Sequence, residues 1–160
     1  MNEVIFVTSS KGKQASAQKR FDKEKLNIKY FESSIDEPDV NDIDFIAKTK
    51  VLEAYKKVGK PCMALDAGFY IEDYPGNPGF PGAFVNRELL DKFGVEGLLE
   101  RTKNMKNRNC YFKETLAYYD GNEVKYFYGY CRGKLIKEIK DKEGKRKWSN
   151  LWSVFIPQNC

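Results

Sequence analysis

Val4-Ile5-Phe6-Val7-Thr8-Ser9-Ser10-Lys11-Gly12-Lys13 is an apolar run that stops at hydroxyl residues and a Lys-Gly-Lys triplet. Four apolar residues in a row are too few for a helix face but suit a strand covered on both sides, as in a parallel sheet. The hydroxyl residues after it are helix-capping types, and a helix is expected over 14–21. A strand passing through a polar turn into a helix is the first half of a strand–helix–strand unit.

The pattern outward from this stretch supports the same class. Ile28 to Phe31 reads as an edge-like strand, and the acidic, Pro-containing segment from Ser33 to Asp42 as a loop. A helix is expected from Ile43 to Val58, where Ile43, Ile46, Ala47, Lys50, Val51 and Ala54 recur at helical spacing and Gly59 provides a stop. Cys62 to Leu65 reads as a second buried strand, with Asp66-Ala67-Gly68 at its end. The Pro/Gly-dense stretch from Tyr74 to Gly82 argues against regular structure, and helices follow over 84–93 and 95–101. Two aromatic-rich strands, Cys110–Tyr119 and Val124–Arg132, flank the turn Asp120-Gly121-Asn122-Glu123. The last apolar piece is Trp152 to Ile156. With no repeat or linker, the expectation is a single α/β domain over 1–160, built on a mixed sheet with flanking helices.

Composition narrows the chemistry. The 160 residues are 41% hydrophobic and 32% charged, ordinary for a globular protein, and no apolar run reaches the ~20 residues of a membrane span. No signal peptide precedes the first strand, so a cytoplasmic protein without a membrane partner is expected. Cys62, Cys110, Cys131 and Cys160 form no CxxC pair, and reduced thiols are expected of all of them. There is no histidine, which excludes Ser-His-Asp and Cys-His catalysis and imidazole bases. Acid–base and metal work falls to carboxylates, lysine, tyrosine or water, and carboxylates favour hard cations, Mg2+ or Mn2+. The net charge of +5 is concentrated between Arg132 and Lys147. That stretch is either a solvated surface or a steering patch for polyphosphate or nucleic acid.

Three segments carry candidate chemistry. The Thr8-Ser9-Ser10-Lys11-Gly12-Lys13 turn lacks Walker spacing, yet a helix N-terminus with hydroxyls and Lys13 suits phosphate; ordinary capping is the plainer reading. Asp66, at the end of a buried strand, lies where open α/β sheets bind ligands and there holds a metal or water, or merely caps a turn. The acidic loop Asp36-Glu37-Pro38-Asp39 either supplies a ligand or is solvated.

The ordered series of these segments, with Gly79-Phe80-Pro81-Gly82 and Asn107-Arg108-Asn109-Cys110-Tyr111-Phe112, resembles the Ham1/inosine triphosphatase family from about residue 3 to Pro157. The resemblance implies an elongated mixed sheet with two lobes and a cleft between them, in a homodimer. It also implies Mg2+-dependent hydrolysis of nucleoside triphosphates to the monophosphate and pyrophosphate. On it, Lys13 matches the phosphate-binding lysine, Thr8 the threonine and Ser10 an asparagine of the opening turn, with Ser9 between them. Glu37, or Asp36, matches the metal-binding glutamate, Lys50 the helix lysine on phosphate, and Asp66 the acid that orients the attacking water, followed by Gly68.

The sequence departs from the family pattern in two places. Leu65 fills the first position of an acidic pair, and Ala67 replaces a hydroxyl residue. The run Trp148-Ser149-Asn150-Leu151-Trp152 lacks the base-contacting aspartate, and the chain stops at Cys160 without the family's Ser-His-Arg segment, as in a divergent, shortened member. Trp148 and Trp152 are then candidates to stack on a base, or core residues. The expected substrate is a non-canonical or modified nucleoside triphosphate, with nucleic acid not expected as a partner. The alternatives are a nucleotide-binding homologue with little or no turnover, and a nucleic-acid-binding protein using the basic stretch.

Overall fold

Val4–Val7 forms strand β1 in the computed structural model, which describes residues 3–32, 35–140 and 149–159. Helix α1 (Lys11–Lys23) follows, capped by Ser10, whose side chain accepts from the Lys13 N–H. It is longer at both ends than the segment expected over 14–21, because that cap starts it at Lys11. Strand β2 (Ile28–Phe31) and helix α2 (Ile43–Val58) have the expected bounds. Asp42 caps α2, accepting from the N–H groups of Asp44 and Phe45, and Gly59 closes it at φ 62° in the left-handed region that glycine adopts without strain.

Beyond α2 run β3 (Cys62–Ile71), β4 (Pro81–Gly82), a π-helical segment (Val85–Leu90), α3 (Asp91–Arg101), β5 (Asn109–Tyr119), β6 (Val124–Leu135), a 3-10 turn (Asn150–Ser153) and β7 (Phe155–Asn159). The strands make one seven-stranded sheet in the order β2-β1-β3-β5-β6-β7, with β4 on β3. β1 pairs in parallel with β2 and β3, whereas β3–β4 and β6–β7 are antiparallel. The mixed α/β class is as expected from the sequence.

The chain divides into two compact units, 1–66 with 115–128, and 67–114 with 129–160. In the first, the face of α2 carrying Ala47, Val51 and Ala54 packs on Ile5, Val7, Cys62, Ala64 and Ala117. Burying each larger aliphatic here is worth ~1.5–3 kcal/mol relative to exposure, which holds helix to sheet. In the second, Phe69, Ile71, Leu89, Leu98, Phe112, Leu135, Leu151 and Phe155 make the core.

Several expectations change. β3 continues six residues past Leu65 in sequence, to Ile71, so Asp66 lies inside a strand and not at its end. The continuation is paired with β5 and with β4, where Phe69 and Tyr70 pair with Gly82 and Pro81, within the segment read as irregular. The helix expected over 84–93 begins as a π-helix, while the break at Gly94 is present, with φ 65° and ψ −173°. The apolar piece 152–156 is split between the 3-10 turn and β7. Cys131 is disulfide-bonded, contrary to the reduced thiols expected, while Cys62 and Cys110 are free and buried. Burial pushes their thiols up to about 11 and about 12. No helix among the described residues is long and apolar enough to cross a membrane.

Candidate functional site

Alternation along β3 decides what faces α2. Cys62 and Ala64 point to the helix in the core, and a period of two puts Asp66 on the same face. On α2, Lys50 adjoins Ala47, Val51 and Ala54 on the buried stripe. The packing that buries these small residues therefore drives the lysine toward the strand. Lys50 Nζ donates to Asp66 Oδ1 at 3.0 Å and lies 2.7 Å from Glu37 Oε1. The Lys50 and Asp66 side chains keep only 14% and 12% of their exposure, against 59% for Glu37.

Lys13 comes from the third residue of α1 and donates to the Leu65 carbonyl oxygen at 3.0 Å. Its ammonium is moored to the strand next to Asp66, not turned out to solvent as a polar helix start suggests. The turn before it is tightly cross-bonded. Thr8 Oγ1 accepts from Ser10 N–H at 3.1 Å, and Ser10 Oγ accepts from Lys13 N–H at 3.3 Å. Each hydroxyl spends a lone pair on the backbone and keeps its proton to donate. Ser9 is exposed.

The charges on these groups are shifted by their surroundings. Loss of water raises Asp66 above the ordinary carboxyl range; Lys50 and Lys13 pull it down and Glu37 adds to the rise. For Lys50 the same loss of water opposes the charged form, but Asp66 and Glu37 outweigh it and hold the ammonium above its usual value. Both carboxylates converge on one cation, and all four side chains lie in the first unit.

Glu32 is a further residue that the sequence did not single out. Its Oε1 accepts from Gln14 Nε2 at 2.9 Å and pairs with Lys11, so it braces the start of α1. An acidic residue just past a strand carries no signal by itself. Asp36, the alternative to Glu37, is exposed, and Lys50 is paired with Glu37.

Of the remaining expected residues, Gly68 and Trp152 belong to the second unit. At Gly68 a Cβ would stand 2.8 Å from the Gly82 carbonyl oxygen and 2.9 Å from Tyr70 Cε2. The close approach of β4 accounts for that glycine. Trp152 stacks on Phe112 at 5.4 Å and meets Phe155 edge-on, packed against the core of its own unit. Trp148, and the basic residues 142–147, lie outside the described residues.

A family model described as Ham1 family matches residues 4–159. A dITP/XTP pyrophosphatase of Thermococcus kodakarensis is 30% identical over 157 residues, covering 97% of this chain and 79% of that relative. Another, from Saccharolobus solfataricus, is 27% identical over 118 residues, covering 74% of this chain and 57% of the relative. The solved structure of a HAM1 protein from Coxiella burnetii superposes with a TM-score of 0.79 at 20% identity, over 97% of this chain and 81% of that one.

Proposed function

The chain belongs to the Ham1 family, and from that membership and the charge cluster on β3 we propose that it hydrolyses non-canonical nucleoside triphosphates to the monophosphate and pyrophosphate. The relatives named as dITP/XTP pyrophosphatases support this reading of the substrate class. The observation that carries it is the convergence of two carboxylates and two lysines at one stretch of strand. That combination suits a triphosphate with its cation and a water to be activated.

The chemistry divides among named groups. The first-turn N–H groups of Lys11 and Gly12 have no acceptor within a helix, and with the Thr8, Ser9 and Ser10 hydroxyls they offer donors to phosphate oxygens. Lys13 and Lys50 neutralise negative charge that grows as the bond between the α- and β-phosphates breaks. Asp66, with its carboxylate hydrogen-bonded and mostly out of water, aligns the attacking water and takes its proton. The oxygen forms a bond to the α-phosphorus, and pyrophosphate leaves with the electron pair of the broken bond.

Mg2+ fits this donor set. Glu37 and Asp66 supply hard oxygen ligands aimed at one point, and magnesium typically uses one or two carboxylates together with substrate phosphates. Among the described residues no group of three or more acidic, histidine or cysteine side chains could hold a metal without such help. When bound, the ion would supply Lewis-acid stabilisation of the phosphate oxygens. Mn2+ has similar ligand preferences.

The test is release of pyrophosphate from a panel of inosine, xanthosine, deoxyuridine and common triphosphates, with Mg2+ and with chelator. Pyrophosphate from an altered-base triphosphate, lost on chelation, is the expected result. Release of orthophosphate alone, or no turnover of any nucleotide, would refute the proposal.

A further inference from the structure

We propose that Lys50 is an exchangeable counter-cation. Its ammonium occupies the two carboxylates in the empty protein and leaves them when a nucleotide arrives, so the divalent ion binds with the nucleotide and only weakly before it. This rests on the preceding reading of Glu37 and Asp66 as the metal-holding pair.

The geometry gives the reason. Lys50 Nζ touches both carboxylates, at 2.7 and 3.0 Å, and its side chain is 14% exposed. Lys13 supplies a second ammonium beside them, held on the Leu65 carbonyl. Two negative and two positive side chains leave a set with no net charge to attract a free cation. Between Lys50 and Asp66 a unit charge dominates over screening by salt, because those two side chains are mostly out of water. A divalent ion therefore has to displace an ammonium that already satisfies both acids.

A triphosphate changes the balance. It brings several negative charges and gives Lys50 another acceptor, since the lysine stem has four carbons and a rotatable head. With the ammonium on phosphate, Glu37 and Asp66 are released to the metal. Nucleotide and metal must then raise each other's affinity by the same factor, as any two linked ligands do. An isolated carboxylate pair without Lys50 would show far less of this coupling.

Binding of Mn2+ to the nucleotide-free protein, followed by electron paramagnetic resonance, tests the idea without turnover. Lys50→Gln removes the charge and keeps a hydrogen-bond donor, and should bind Mn2+ about tenfold or more tightly than the parent. Adding Asp66→Asn to Lys50→Gln should abolish that gain. Lys50→Arg keeps the charge and should bind Mn2+ as weakly as the parent, which serves as the test if Lys50→Gln fails to fold. Unchanged or weaker binding by a folded Lys50→Gln, or tighter binding by Lys50→Arg, overturns the proposal. A parallel titration uses a triphosphate with a methylene between the α- and β-phosphorus. If the parent takes up Mn2+ with that analogue but Lys50→Gln shows no gain without it, only the counter-cation role fails. If the parent takes up none in either state, the metal reading and this inference fail together.

Discussion

Lys50 Nζ donates to Asp66 Oδ1 at 3.0 Å, and both side chains are nearly withdrawn from water. Removing one member of such a pair strands a charge where solvation is poor, at a cost of about 3–5 kcal/mol. Lys50→Met should therefore lower the free energy of unfolding by that order in a urea titration. Adding Asp66→Asn should recover part of the loss, because the stranded charge is gone. Losses that simply add would show that the two side chains do not interact.

Asp66 carries the pH dependence. Desolvation is the largest influence on it and raises its proton affinity above the ordinary carboxyl value of 3.8. As a base it must be ionised, so kcat/KM should fall as pH drops through this raised value, placing the acid limb above that of an ordinary aspartate. Asp66→Asn, which retains an acceptor for Lys50, should reduce the rate about 10²–10⁴-fold and erase that limb. A pH–rate profile of the variant with its limb intact would assign the proton transfer elsewhere.

Lys13→Ala should spare the fold and weaken substrate use. The lysine donates to a main-chain carbonyl, and α1 has no buried residue depending on it. A charge-assisted hydrogen bond to phosphate is worth about 1.5–3 kcal/mol, so kcat/KM should fall roughly ten- to a hundredfold. The melting temperature should stay close to the parent's. A large drop in melting temperature with kcat/KM unchanged would make Lys13 a structural residue.

Gly68→Ala is expected to be a stability variant. Its new methyl group would press on the Gly82 carbonyl 2.8 Å away, main chain that cannot rotate aside. Overpacking of this kind costs about 1–3 kcal/mol, read as a lower midpoint in chemical denaturation. A raised KM at undiminished stability would instead make Gly68 a substrate contact.

The sequence showed the site's members more clearly than their arrangement. Asp66 could be singled out as a charge following an apolar run, whereas Lys50 was read as a site residue only through the family resemblance. The bond between them depends on α2 crossing β3, a tertiary relation that no local pattern encodes. Asp66 was misplaced to a strand end because Ala67-Gly68 looks like a turn, while the strands that pair with this part of β3, Pro81-Gly82 and β5, come thirteen or more residues downstream. The disulfide at Cys131 was missed for a related reason, since a lone cysteine in an aromatic strand reads as a small hydrophobe. Elements set by their own periodicity and caps, α2 above all, had the bounds that were read from them.

The mooring of Lys13 has an evolutionary corollary. Its acceptor is the carbonyl of residue 65, and every amino acid brings that same oxygen. The Leu65 side chain can thus drift without disturbing the lysine, so long as β3 keeps its path. The charge inventory around Asp66 can be retuned at a neighbouring codon while the lysine stays in place.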